Sequence, residues 1–284
     1  MKRNHVLLIV LLLLALMLVP MVAACGDEEE VTPDEAAAAA DAAIATVTKS
    51  ANIETPPTIK TGIVMGGSDT AFPPFEFSDG KGGYIGFDVD ILTAVCKKMG
   101  LELEVVPTAW DGIIPALVSE RFDMIMSAMS ITEERLQQIN FSDPYYKNDL
   151  AITCPVDKPI TSAEGLVGKV VGVQVDTTGQ FAVEEIEGVK EIKKYENIIA
   201  ALQDLEAGRV EAVVNDEPSN AYQIRGKEKL ANTGIIPVDD DYGFGIKQGN
   251  DELLAAINLA LQELTDEGVY ELIRTKWFGE KVAE

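Results

Sequence analysis

The chain has 284 residues, 47% apolar and 25% charged, enough for one sizeable core or two modest lobes. Its formal net charge of −24 excludes nucleic acid as a partner and works against binding to anionic lipid surfaces. The lone histidine, His5, lies in the extreme N-terminal segment, which excludes a Ser-His-Asp triad and His-ligated zinc from the remainder.

The first 25 residues read as a targeting segment. Lys2 and Arg3 form a basic start and Val6 to Val19 is an unbroken apolar run of 14 residues, shorter than the roughly 20 needed to span a bilayer. The run ends at Val22-Ala23-Ala24-Cys25, which resembles a bacterial lipoprotein cleavage site, where the cysteine is acylated and becomes the mature N-terminus. With Lys2 and Arg3 removed, 21 Lys and Arg face 47 Asp and Glu. Residues 26–57, with Asp27 to Glu30, an alanine block and Thr/Pro/Glu, carry almost no large apolar side chain and are expected to form a tether with transient helix in the alanines. If flexible, about 30 residues reach roughly 30 Å.

From Ile59 onward, short β-type runs alternate with amphipathic helical patterns. The expected order is strand Ile59–Met65, helix Val89–Met99, strand Leu101–Val106, helix Ile113–Ser119 and strand Met124–Met126. After the apolar strand Leu150–Thr153 the pattern restarts. It gives strand Lys169–Val173, helix Thr178–Ile186, strand Val189–Lys193, helix Ile198–Ala207, strand Val210–Val214 and a helix opening at Pro218. Such alternation predicts an α/β architecture of mostly parallel strands in two lobes. Crossovers are expected at Tyr145–Asp149 and Val238–Tyr242, followed by strand Tyr242–Ile246 and helix Glu252–Thr265. Lobe one is then 58–146 with 242–284, and lobe two 147–241. Two extended crossovers make a hinge, and a hinge makes a cleft that can close. Cys96 falls on the apolar stripe of a helix and reads as a buried thiol; whether it pairs with Cys154 is left open. No spacing forms a metal motif, and no cofactor is implied.

The stretch Ser127-Ala-Met-Ser-Ile-Thr-Glu-Glu-Arg135 carries the first chemical signal. In open α/β sheets ligands collect beyond the carboxyl ends of strands, where helix starts leave N–H groups unpaired. Thr132 suits an N-cap, Glu133 and Glu134 suit the first helical turn, and Arg135 can lean back toward Ser130. A guanidinium beside free N–H groups is a carboxylate clamp, although pairing with a surface acid is an equal reading on these residues alone. Asp216 before Pro218 reads on its own as a helix cap, and Asp88 and Asp90 read as caps and first-turn acids of the helix that follows them.

Several motifs occur in one order: Asp69-Thr-Ala-Phe-Pro-Pro-Phe-Glu-Phe77, Gly86-Phe-Asp-Val-Asp90, Ala109-Trp-Asp-Gly-Ile-Ile-Pro-Ala-Leu117, Ser127 to Arg135, Phe141-Ser-Asp-Pro-Tyr-Tyr146, Val171-Gly-Val-Gln174 with Thr177-Thr178-Gly179, Asn215-Asp216-Glu-Pro218 and Lys276-Trp-Phe-Gly279. Together they resemble the polar amino-acid-binding proteins of bacterial ABC importers, extracellular solute-binding proteins of family 3, over about Ile59 to Phe278. The resemblance implies the two-lobed periplasmic-binding-protein fold of the second type. It also implies an extracytoplasmic lipoprotein, monomeric and not an enzyme, that binds a polar amino acid and delivers it to an ABC permease. Its place would be the periplasm or the outer face of the cytoplasmic membrane, with the lipid anchor as its only membrane contact.

By that resemblance Arg135 holds the ligand α-carboxylate with the hydroxyl and N–H of Ser130, and Thr178 adds a backbone donor from the second lobe. The backbone of Ala128 and the acid of Asp216 hold the α-ammonium, and Ser127 belongs to the same ligand-binding stretch. Phe72 and Trp110 match the rings that flank the ligand side chain, Asp69 an acid at the pocket floor and Gln174 a contact to the ligand's distal polar group. Two π faces with a carboxylate suit a cation, contributing about 0.5–2 kcal/mol. Arginine, lysine or histidine is therefore expected first and glutamine second. An arogenate or prephenate dehydratase on the same scaffold is the remaining alternative, with Glu76 or Asp69 as its acid. Ala128, Ser130 and Asp176 depart from the commoner glycine, threonine and glycine of that family.

Overall fold

The computed structural model describes residues 32–279. The expected targeting segment and Cys25 lie outside the described residues, as does the first part of the expected tether.

In chain order the strands are β1 Ile63–Ser68, β2 Ala71–Phe72, β3 Glu76–Ser78, β4 Tyr84–Ile85, β5 Glu102–Pro107, β6 Met124–Ile125, β7 Ile139–Phe141, β8 Tyr146–Pro155, β9 Val170–Gln174, β10 Glu191–Tyr195, β11 Ala212–Asp216, β12 Leu230–Tyr242 and β13 Gly245–Lys247. The helices are α1 Pro33–Thr46, α2 Phe87–Met99, α3 Ile113–Val118, α4 Glu133–Leu136, α5 Thr178–Glu184, α6 Ile198–Glu206, α7 Glu217–Gln223, α8 Asp251–Asp266 and α9 Val269–Phe278.

Two five-stranded sheets organise these elements, one in the order β5-β1-β6-β13-β7 and the other β10-β9-β11-β8-β12. The expected parallel pairing holds for β5, β1 and β6 and for β10, β9 and β11. It fails for the strands beside them: β13 runs antiparallel to both β6 and β7, and β8 antiparallel to both β11 and β12. Helical crossovers return the chain to run parallel, whereas β8 and β13 enter their sheets directly from the connections between them. Those connections pair with one another, with Tyr242 opposite Tyr146, Asp241 opposite Lys147 and Asp240 opposite Asn148. The register shifts between Ile236 and Asp240, where Pro237 has no N–H to offer the ladder.

Residues 33–57 correct the expected tether. Pro33 opens α1 at its first turn, Asp34 and Glu35 follow where the helix dipole favours acids, and Ala36, Ala40 and Ile44 are buried. The small alanines let α1 approach α9 closely, so a face with only one large apolar side chain still packs. Ile53 is also buried, the Thr55 hydroxyl donates to the Met99 carbonyl at 2.8 Å, and Lys276 pairs with Asp41 at 2.6 Å.

Asp88 and Asp90 stand in the first turn of α2, as expected, but neither caps it. Gly86 holds the cap position of α2 at φ 145°, where a Cβ would lie 1.9 Å from the Phe75 carbonyl oxygen. Asp88 instead turns inward to accept the Ala128 N–H at 2.9 Å and the Tyr145 hydroxyl at 2.8 Å. Asp90 accepts from the Trp277 indole at 2.7 Å and pairs with Lys276 at 2.9 Å. Beneath the paired connections lies an aromatic cluster of Phe75, Phe87, Tyr146, Tyr242 and Phe278, with Phe75 centred 5.2 Å from both Tyr146 and Tyr242. Cys96 and Cys154 are both buried free thiols.

Candidate functional site

Beyond the carboxyl end of β6 the chain runs through Ser127, Ala128, Met129 and Ser130 into α4. Thr132 caps that helix, its hydroxyl accepting the Arg135 N–H at 3.2 Å. The cap fixes the four-residue helix, and Arg135 folds back as its position predicts. One guanidinium nitrogen donates to the Ser130 carbonyl at 2.9 Å, and another donates to the Asp176 carbonyl at 3.1 Å. The group lies 5.2 Å from the centre of the Trp110 ring and is 7% exposed, so it is a cleft residue rather than the partner of a surface acid.

The second sheet contributes from the ends of β9 and β11. Gln174 closes β9, and its amide donates to Asp69 at 3.0 Å and to the Glu196 carbonyl at 3.2 Å. Thr177 caps α5 by accepting the Gln180 N–H at 3.2 Å, which leaves Thr178 as the first residue of the helix. Asp216 ends β11 and makes no side-chain cap bond to α7. Its carboxylate accepts from the Asn148 amide of β8 at 2.8 Å. Burial, foremost, pushes its pKa up to about 7.

All ten residues expected to bind ligand come together. Asp69, Phe72, Trp110, Ser127, Ala128, Ser130, Arg135, Gln174, Thr178 and Asp216 line one cavity of about 320 Å³, part of which is open to solvent. Three hydrogen bonds cross it: Gln174 to Asp69, Arg135 to the Asp176 carbonyl and the Trp110 indole to that carbonyl at 3.1 Å. Ala128 and Asp176, the positions where glycine was expected, adopt φ 43° and 56°. Left-handed backbone at a non-glycine residue costs on the order of 1–3 kcal/mol. The Ala128 N–H bonded to Asp88 holds one of these bends.

Glu76 and Thr177 also line the cavity and were not assigned to ligand from sequence. Glu76 is fully buried; the Ser127 hydroxyl donates to one carboxylate oxygen at 2.7 Å, and the other oxygen, Oε2, has no partner. Burial, then the charge of Asp88, holds its carboxyl well above the usual range. The signal lay in Phe75-Glu-Phe77, where an acid between two aromatics in a short strand points opposite to Phe77. Asn148 orients Asp216 from the first residues of β8, which were expected only as a crossover leading into the strand.

The model for bacterial extracellular solute-binding proteins, family 3, matches residues 64–280, and the chain belongs to that family. The lysine/arginine/ornithine-binding periplasmic protein of Escherichia coli K12 is 35% identical over 225 residues, which is 75% of this chain and 86% of that protein. An ancestral arginine-binding protein, solved with arginine and with glutamine, superposes with a TM-score of 0.74 at 39% identity, with 77% of this chain and 99% of that one covered in the arginine complex. An ancestral amino-acid-binding protein described as a precursor of cyclohexadienyl dehydratase superposes at 0.71 with 37% identity, covering 76% of this chain and 96% of that one. The fold is thus the two-lobed α/β fold of amino-acid-binding proteins. No helix among the described residues is long and apolar enough to cross a membrane.

Proposed function

We propose that this solute-binding protein takes a basic L-amino acid, arginine first, into the cavity between its sheets and delivers it to an ABC permease as a monomer. One observation carries the choice of side chain. Glu76 is buried with a free carboxylate oxygen, Asp69 stands in the same cavity, and Arg135 is the only cation among the described lining residues. A cationic side chain between the rings of Phe72 and Trp110 gives that unpaired oxygen a partner, which a buried acid otherwise lacks at a cost of about 1–3 kcal/mol or more. The structure solved with arginine supports this reading.

Arg135 is assigned the α-carboxylate, with N–H donors at Ser130 and Thr178. Asp216 and the backbone at Ser127 and Ala128 are assigned the α-ammonium. A zwitterion needs both answered, since one buried unpaired charge loses several kcal/mol. We assign lobe one to residues 58–146 with 242–284 and lobe two to 147–241, so that Arg135 and Asp216 meet only across the cleft. Acylation of Cys25 would hold the protein at the outer face of the membrane; a Cys25→Ser protein partitioning into detergent like the parent would refute the anchor.

A calorimetric panel of the twenty amino acids tests the function. Arginine or lysine should bind most tightly; no ligand tighter than about 100 μM, roughly −5.5 kcal/mol, would sink the reading. Glutamine is the second candidate, supported by the ancestral protein solved with it and by the neutral Gln174. The dehydratase-related neighbour favours one other outcome, phenylalanine formed from arogenate, which would make Glu76 or Asp69 an acid catalyst.

A further inference from the structure

We infer that Asp240, a residue of the connecting strand β12, opposes the ligand α-carboxylate from behind the cavity wall and thereby limits the affinity of the site. The inference rests on the proposed amino-acid function and adds a residue to it.

Strand pairing places Asp240. It stands opposite Asn148, whose amide holds Asp216. Two residues further on, Tyr242 bridges to Ser130, and on either side of that bridge the Ile131 N–H donates to the Asp241 carbonyl at 2.8 Å and the Gly243 N–H to the Met129 carbonyl at 3.1 Å. The strand therefore runs against the loop that carries Ser130. From there the Asp240 carboxyl faces the hydroxyls of Ser130 and Thr178 and the guanidinium of Arg135, with Asp149 and Asp216 the acids nearby. Of these groups, the guanidinium and the Ser130 hydroxyl are assigned to the ligand carboxylate, which Thr178 meets through its backbone N–H.

Asp240 is poorly satisfied in this position. Its Oδ2 is buried and closes no hydrogen bond of ordinary geometry, and burial raises its pKa above the usual carboxylate range. The Ser130 hydroxyl has one proton to donate, so a proton turned to Asp240 is withheld from the ligand. A second carboxylate on the same guanidinium also repels the first. Were Asp240 instead a counter-charge that orients Arg135, its removal would weaken binding, so the two roles have opposite signs.

The experiment measures calorimetric Kd values of the full chain and of Asp240→Asn for L-arginine, L-glutamine and L-argininamide, which keeps the ammonium and guanidinium but lacks the carboxylate charge. The variant should bind both amino acids about tenfold more tightly and gain nothing for argininamide. An unchanged or raised Kd for the amino acids overturns the inference, as does an equal gain for argininamide. Thermal unfolding checks that the ligand-free variant folds, and Asp240→Ala replaces it if it does not. If the parent chain binds none of the amino acids, the proposed function itself fails; if the parent binds and the variants do not tighten, only the role of Asp240 fails.

Discussion

Arg135 shows how much one residue can be read for, and where reading stops. Its position in Ser127 to Arg135 placed it beside Ser130 at a helix start, and its guanidinium does donate to the Ser130 carbonyl. Its second partner, the Asp176 carbonyl, lies 41 residues away and belongs to no local pattern. Arg135→Ala should remove binding of every amino acid, a loss of about 3–5 kcal/mol seen as vanished calorimetric heat with the thermal unfolding midpoint little changed. Asp69→Asn should instead weaken arginine more than glutamine. Affinity should also depend on pH through Asp216. Its pKa in the ligand-free protein is raised to about 7, and an ammonium prefers the ionised form. Binding should therefore weaken as pH falls below about 7, by up to about tenfold per unit, and release protons near neutrality, measurable as heats that vary with buffer ionisation enthalpy. The stability contribution has the opposite sign: folded Asp216 keeps a proton that the unfolded chain releases above about 4, so it lowers ligand-free stability as pH rises from about 4 to about 7. Asp88, also raised to about 7 by burial, adds in the same direction.

At the scale of elements, α2, α8 and the strands β1, β5, β6, β9, β10 and β11 were legible because apolar periodicity reports burial directly, whereas the long strand β12 was expected only as a crossover at its end. Elements without a strong pattern were not. The two-residue strands β2 and β4 are too short to show alternation, and β7 gives only three residues. The docking of helix α1, expected only as transient helix in a tether, was missed for a different reason, since alanine is weakly apolar and its close packing depends on the surface it meets. Ala40 is fully buried in the hydrophobic core. Ala40→Asp should place an unpaired carboxylate there and cost about 2–4 kcal/mol, lowering the unfolding midpoint by roughly 5–15 °C while arginine affinity stays within about twofold of the parent. An unchanged midpoint would restore the tether reading for this segment. If α1 stays docked, the tether proper is only the stretch between Cys25 and Pro33, far shorter than the roughly 30 Å of reach first expected.

For the whole molecule, the three hydrogen bonds across the cavity describe a closed cleft, and the paired strands β8 and β12 connect the parts that must move to open it. A bound zwitterion adds contacts that only closure completes, so it should shift the population toward the closed form. Small-angle scattering should show a smaller radius of gyration with saturating arginine; an identical curve with and without ligand would mean that the cleft is already closed. Trp110 reports the same event optically, because its indole bonds to Asp176 across the cavity while Trp277 lies behind, on Asp90.

The amino-acid order alone was enough to give the alternation of strands and helices, the placing of Arg135 beside Ser130 and the set of residues that line one cavity. Each of these follows from local spacing, from side-chain chemistry or from the order of motifs. It took the folded chain to show that Asp88 supports Ala128 rather than caps a helix, that Glu76 keeps a free buried oxygen, and that Asp240 stands opposite Asn148 on a strand running beside Ser130. Those roles arise from groups 40 to about 110 residues apart meeting in a low-dielectric interior, where desolvation and unpaired atoms set the energies. No run of neighbouring residues records which distant partner a buried polar group will find, or fail to find.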